Sequence, residues 1–267
     1  MLRSRVIPCL LVHDNGLIKT TRFKDSKYVG DPINAVKIFN EKEVDELIVL
    51  DIDASVNKVA PDFALIENLA AECRMPLCYG GGIKTADQAE QIVSLGVEKV
   101  ALSSAIVGDP SLLATISRRI GQQSVVAVLD VKKTMFGRYS VFLHNGTTNT
   151  KRDPFELARE FEARGAGEIV INSIDHDGMM DGYDMGLAET MRESVQLPIT
   201  VLGGAGSFED IKKLIQKFSI VGAAAGSLFV FKGRYRAVLI NYPTSQEKKL
   251  LEQSSGDKDL NLKVGKS

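Results

Sequence analysis

Eight short apolar runs, most of them separated by helix-like segments, constrain the fold of this chain more than any other feature. Each run is rich in small or β-branched residues, and its length suits a strand that is buried on both faces. The runs are VIPCLLV (6–12), LIVLDI (47–52), PLCYGG (76–81), VALSS (100–104), SVVAVLDV (124–131), IVINSI (169–174), PITVLGG (198–204) and VGAAAG (221–226). Alternating strands and helices predict a parallel sheet, and eight units favour a closed (β/α)₈ TIM barrel over an open doubly wound sheet.

The chain also repeats itself at an offset of 122 residues. VDELIVLDID (44–53) is similar to AGEIVINSID (166–175), and MPLCYGGGIKTADQAEQIV (75–93) is similar to LPITVLGGAGSFEDIKKLI (197–215). This repeat indicates a duplicated half-barrel, which favours the closed barrel further. We expect the barrel to span residues 1–243 and a polar, partly disordered tail to span residues 244–267.

Composition disfavours several classes of function. Lys and Arg number 33 against 34 Asp and Glu, so no broad basic face for nucleic acid is expected. No apolar segment reaches the roughly 18 residues that a membrane span needs. The 3 cysteines form no C-x-x-C pair and suit reduced thiols. We therefore expect a cytoplasmic protein that contacts neither membrane nor nucleic acid.

Glycine and serine residues stand at the carboxyl ends of four predicted strands, at matching positions of the two halves. Glycines let backbone N–H groups approach an anion closely, and a serine hydroxyl adds a donor. The residues are Gly81, Gly82, Ser103 and Ser104 in the first half and Gly203, Gly204, Gly226 and Ser227 in the second. Two such sites would hold a ligand with phosphate at both ends; alternatively, the glycines only make tight turns.

Charged residues stand at the opposite ends of four strands. Arg5, Glu46, Lys99 and Glu168 each begin a strand, which places them at the floor of the barrel. Buried charges are costly unless they are paired, so inward-pointing side chains would form a ring of ion pairs. The alternative is four ordinary surface charges.

Asp130 is the best candidate for acid–base chemistry. It ends the apolar run SVVAVL, where a carboxylate would point into the mouth of the barrel and partial burial would raise its pKa. His13, His144 and His176 show no ligand spacing, so neither a metal site nor a cofactor is expected.

Together these motifs resemble the cyclase subunit of imidazole glycerol phosphate synthase, the HisF family. IPCL (7–10), GGGI (80–83), KVALSSA (99–105), SIDHDGMMDGYD (173–184) and GGAG (203–206) stand in the family's order. The resemblance implies a two-phosphate ribonucleotide as substrate and a glutaminase partner that docks at the floor and sends ammonia through the barrel. It assigns Arg5, Glu46, Lys99 and Glu168 to the ammonia gate.

The same resemblance assigns roles at the mouth. It makes Asp130 a catalytic aspartate and Lys19 a loop residue that closes over the substrate. Asp177 and Gly178 are also candidates for the substrate site; alternatively, Asp177 only caps or braces its loop. One position departs from the family, whose first strand reads IPCLDV, with a second catalytic aspartate where this chain has Leu11. A leucine cannot transfer a proton, and losing one member of an acid–base pair costs about 10²–10⁴ in rate. Asn172 also departs, since the family has threonine there.

Half of the cyclase chemistry is thus missing while the gate and the phosphate sites remain. This pattern resembles HisF-like proteins of surface-polysaccharide pathways. The leading hypothesis is a lyase or amidotransferase-type synthase subunit that is paired as a heterodimer with a glutaminase and works with an amide-activating partner. It would convert an acetamido to an acetamidino group on a nucleotide sugar in lipopolysaccharide biosynthesis. The alternatives are a cyclase of histidine biosynthesis that tolerates Leu11, and a non-catalytic scaffold that only conducts ammonia.

Overall fold

The structure, a computed structural model, describes residues 3–253. Fourteen strands lie within that range, and they are numbered in chain order. They are β1 (Arg5–His13), β2 (Gly16–Thr21), β3 (Lys24–Gly30), β4 (Leu47–Asp51), β5 (Leu77–Gly80), β6 (Lys99–Leu102), β7 (Val125–Lys133), β8 (Tyr139–Leu143), β9 (Thr148–Asn149), β10 (Glu168–Ser173), β11 (Ile199–Leu202), β12 (Gly222–Ala225), β13 (Phe231–Lys232) and β14 (Ala237–Val238).

Ten α-helices accompany these strands in the same range. They are α1 (Pro32–Glu41), α2 (Phe63–Glu72), α3 (Ala86–Ser94), α4 (Ser104–Gly108), α5 (Pro110–Ile120), α6 (Pro154–Ala163), α7 (Met185–Ser194), α8 (Phe208–Phe218), α9 (Ser227–Val230) and α10 (Ser245–Gln253). Three of them begin after Asp31, Asp109 and Asp153, each followed by proline, and each aspartate side chain accepts a backbone N–H of the first turn. Asp-Pro is a favourable start for a helix, because aspartate caps a helix and proline is tolerated at its first position.

Eight of the strands close into a parallel ring. The order runs β1, β4, β5, β6, β7, β10, β11 and β12, and β12 pairs with β1 again. Each ring strand matches one of the eight apolar runs. The predicted (β/α)₈ barrel is therefore confirmed, and the open doubly wound sheet is excluded because it would leave two edges unpaired.

Side chains that alternate along each strand build two apolar layers. One layer packs the ring against the surrounding helices, and the other fills the interior of the barrel. The interior layer includes Ile7, Cys9, Ile48 and Val128, and the half-buried Leu11 packs against its upper edge. The barrel is thus a filled core whose polar chemistry is confined to its two ends.

An antiparallel hairpin follows the first strand of each half-barrel. β2 and β3 extend from β1, and β8 and β9 extend from β7. Sequence analysis missed both hairpins. Residues of β3 are largely exposed and β9 has only two residues, so neither shows the apolar pattern of a buried strand.

The predicted boundary at residue 243 stays a prediction. Beyond it, α10 has a buried Leu251, and Lys248 Nζ lies 3.0 Å from Asp45 Oδ1 on the barrel. Residues 254–267, the remainder of the predicted tail, lie outside the described residues. None of the helices between residues 3 and 253 is long and apolar enough to cross a membrane.

Candidate active site

The carboxyl ends of the ring strands form a mouth, and three of the cavities there contain Asp130 or a complete set of the predicted phosphate residues. The first has a volume of about 110 Å³ and is lined by the predicted phosphate residues of the first half together with Asp130. Those lining residues are Gly81, Gly82, Ser103 and Ser104. The third cavity, of about 20 Å³, holds the second-half set of Gly203, Gly204, Gly226 and Ser227 together with Lys19, Asp177 and Gly178. The structure therefore brings all the predicted mouth residues to one end of the barrel.

Glycine is required at equivalent positions of the two halves. Gly81 has φ +134°, and a Cβ there would lie 2.6 Å from the carbonyl oxygen of Asp51. Gly203 has φ +93°, and a Cβ there would lie 2.6 Å from the carbonyl oxygen of Ser173. Both pairs are related by the offset of 122 residues, so the duplication extends to the backbone geometry of the two turns.

Lys19 lies on strand β2 rather than in a loop. Its side chain is buried, and its ammonium group donates a hydrogen bond to the carbonyl oxygen of Cys9. Burial lowers the pKa of Lys19. It lines both the third cavity and the neighbouring one that contains Asp130 and Leu11. Lys19 thus already stands between the second glycine turn and the acid–base candidate.

Asp130 lies on β7, with its carboxylate at the mouth. Asn172 of β10 is its register partner, and Asn172 Nδ2 donates to Asp130 Oδ1 at 2.9 Å. Burial raises the pKa of Asp130 to about 6, although this hydrogen bond works in the opposite direction. A carboxyl group that titrates near neutrality can both accept and return a proton at physiological pH.

We expect Asp130 to titrate near pH 6 rather than at its ordinary value of 3.8. Replacing its partner, Asn172→Leu, removes a hydrogen bond to the ionised form and should raise the midpoint further. NMR of protein labelled with ¹³C at aspartate carboxyls measures both midpoints. Asn34→Leu, at an exposed position of α1, is the matched control and should leave the midpoint unchanged. A midpoint near 4 in the parent protein would contradict this prediction.

The second cavity, of about 100 Å³, contains the position of the missing aspartate. Leu11 faces it from β1 and is paired in register with Leu50 of β4, which also lines the cavity. Asp14 does not replace the lost carboxylate, because its side chain is 88% exposed at the rim and is absent from this cavity. Between residues 3 and 253, the carboxylates that line the cavity are Asp130 and Asp177.

Asn145 is a lining residue that sequence analysis missed. It lies in the turn of the β8–β9 hairpin, donates from Nδ2 to the carbonyl oxygen of Ile52 at 3.2 Å, and lines the first two cavities. The hairpin therefore reaches across the mouth. A polar turn 15 residues after Asp130 carries no local sign of this contact, because it depends on how the hairpin folds back.

One group of possible metal ligands occurs in the part of the chain that the structure describes. It consists of His13, Asp14 and Asp53, whose ligand atoms lie within 4.8 Å of one another at the rim. His13 Nδ1 and Asp53 Oδ1 are 2.7 Å apart, and this hydrogen bond raises the pKa of His13. Sequence spacing gave no sign of the group, since its members come from different strand ends. The hydrogen bond accounts for the arrangement without an ion.

At the floor, the four predicted charges contact one another in a closed ring. Arg5 bonds to Glu46 and, at 2.7 Å, to Glu168, while Lys99 Nζ lies 2.9 Å from Glu46 and 3.0 Å from Glu168. Burial works against the charges of Glu168, Arg5 and Lys99, yet the cations lower the pKa of Glu168, and the carboxylates raise the pKa of Arg5 and Lys99. These three groups are therefore held in their charged forms.

Comparison with known proteins agrees with this architecture. The family model described as "Histidine biosynthesis protein" matches residues 5–236. A Vibrio vulnificus protein named "Putative imidazole glycerol phosphate synthase subunit hisF3" is 58% identical over 250 residues, which cover 93% of this chain and 96% of that protein. The chain belongs to the HisF family.

Two further HisF relatives differ in their distance from this chain. "Putative imidazole glycerol phosphate synthase subunit hisF2" of Pseudomonas aeruginosa is 54% identical over 91% of this chain and 97% of its own length. "Imidazole glycerol phosphate synthase subunit HisF" of Natranaerobius thermophilus is 38% identical over 91% of this chain and 96% of its own length. The chain is thus more similar to the Vibrio and Pseudomonas proteins than to the Natranaerobius subunit.

Proposed function

We propose that this HisF-family chain is the synthase subunit of a glutamine amidotransferase complex. A glutaminase partner supplies ammonia, and the substrate carries phosphate groups. The two equivalent glycine turns support a ligand with phosphates, and Asp130 supports an enzymatic role. The family resemblance implies that ammonia enters the barrel at the floor through a gate. The closed ring of four charges lies at that end of the barrel and supports this role.

The substrate we propose is a nucleotide sugar with an acetamido group, which becomes an acetamidino group during lipopolysaccharide biosynthesis. One observation carries this choice: Leu11 stands where the family resemblance implies the second catalytic aspartate of the histidine-pathway cyclase, so Asp130 lacks that partner. Amidine formation needs less proton transfer than imidazole ring closure. Ammonia adds to the amide carbon after a partner has activated the amide, and the oxygen departs with the activating group. Asp130 accepts the proton that the added nitrogen must lose.

A cyclase of histidine biosynthesis is the second candidate, favoured by the names of the relatives and by the retained Asp130. Complementation separates the two. We expect that expressing this chain in a histidine auxotroph lacking the cyclase gives no growth on minimal medium, whereas a HisF protein with the IPCLDV motif restores growth. Growth with this chain would defeat the amidination proposal. Its positive test is the full complex with glutamine and acetamido nucleotide sugars, followed by mass spectrometry for replacement of oxygen by NH.

A further inference from the structure

The second cavity has one apolar wall and one polar wall. Leu11, Leu50 and Leu202 contribute aliphatic surface, and Leu11 and Leu50 continue the interior layer of the barrel upward. The polar lining residues are Asp130, Asn172, Asn145, Asp177, Lys19 and Thr20. A volume of about 100 Å³ equals roughly three water molecules, which suits a substituent of a few heavy atoms.

Asn172 holds an unused hydrogen-bond acceptor next to this cavity. The residue is 5% exposed, and its Oδ1 is buried without a hydrogen-bond partner among the described residues. The orientation of the amide is fixed, because an ionised Asp130 accepts hydrogen bonds only, so the nitrogen must face it. Gly203 lies close to this oxygen, since a Cβ there would be 3.0 Å from Oδ1.

A buried acceptor without a partner costs about 1–3 kcal/mol, so such atoms are rare in folded proteins. The cost is removed when a ligand donates an N–H or O–H to the oxygen. The cavity thus offers an acceptor, a titratable carboxyl group and an aliphatic wall within one small volume. An N-acyl amide presents the matching features: an N–H donor, a reactive carbonyl carbon and a methyl group.

We propose that this cavity is a binding site for an N-acyl substituent of the substrate, read by Asn172 and Leu11. The amide N–H donates to Asn172 Oδ1, the methyl group packs on the leucines, and the carbonyl carbon lies beside Asp130. This assignment rests on the proposed function and deepens it, because it explains why leucine is useful at position 11. A carboxylate at that position would place a charge against the methyl group.

Calorimetric titration of the full-length chain with two probes tests the site. UDP-N-acetylglucosamine and UDP-glucose differ only in an acetamido group against a hydroxyl. We expect the acetamido probe to bind at least about tenfold tighter, equivalent to about 1.4 kcal/mol. Asn172→Leu, which cannot accept a hydrogen bond, should bring the two affinities within about twofold of each other. The matched control Asn34→Leu should keep the preference.

Equal affinities of the parent protein for the two probes, or binding of neither, would overturn the site. An unchanged preference for the acetamido probe in Asn172→Leu would also overturn the site, because other residues would then recognise the acetamido group. If that variant does not fold by circular dichroism, Leu11→Ser tests the opposite wall and should reduce the preference as well. If the complex forms the amidine but the chain binds the two probes equally, only this site is refuted. If the chain complements the histidine auxotroph, the proposed function itself is refuted.

Discussion

Asp130→Asn reduces product formation by the complex by about 10²–10⁴-fold, while glutamine hydrolysis by the partner continues. We expect this result because Asp130 is the carboxyl group of the mouth whose pKa lies near neutrality, at about 6, and an amide cannot exchange a proton at that pH. The measurement is product formed and glutamate released in the same reaction. Asp87→Asn, on the exposed surface of α3, is the matched control and leaves both rates unchanged.

Unchanged product formation in Asp130→Asn would instead favour the non-catalytic, ammonia-conducting scaffold. We do not expect Asp130→Asn to lose product formation by unfolding, and the direction of the pKa shift of Asp130 gives the reason. A folded-state pKa raised from 3.8 to about 6 means that the folded protein binds the proton more tightly than the unfolded chain. The ionised group therefore costs stability as pH rises from about 4 to 6, and asparagine removes that cost. The variant should be no less stable than the parent at pH 7.

Glu168→Gln should lower the free energy of unfolding by about 3–5 kcal/mol, because it removes one carboxylate from a buried ring that holds two cations. Arg5 and Lys99 would then share Glu46 alone. For a domain of this size the change corresponds to a fall in melting temperature of roughly 10 °C. Circular dichroism follows the transition, since the chain has no tryptophan.

The matched control for this variant is Glu98→Gln, one residue before Lys99 on the exposed surface, where we expect little change. Acid pH should reproduce part of the effect. The folded-state pKa of Glu168 is lowered from 4.5, so its contribution is complete above that value and is lost as pH falls through the lowered one. A melting temperature of Glu168→Gln equal to that of the parent would show that the ring contributes nothing to stability.

The barrel was predictable because its strands are buried on both faces and its helices start with strong local signals. The same logic explains what was missed. α10 is polar apart from Leu250 and Leu251, so its packing could not be inferred from composition. Elements whose stability comes from tertiary contacts leave a weak sequence pattern.

The candidate site divides in a similar way. Gly81, Gly203 and Asp130 were identified because they follow buried strands, where parallel topology brings side chains together. The unpartnered oxygen of Asn172 could not be inferred, because it depends on which way a single amide group turns. The contact of Asn145 with Ile52 joins residues 93 apart in sequence, and nothing local to either residue predicts it.

The paired hairpins have a consequence for how such an enzyme diversifies. Each half-barrel supplies its own hairpin at the shared mouth. Mutations in one hairpin and its ring strand therefore leave the side chains of the other half unchanged. Leu11 of β1 is paired in register with Leu50, and Asp130 of β7 is paired with Asn172, so the two halves present different side chains at the mouth. A duplicated fold can therefore alter its chemistry one half at a time.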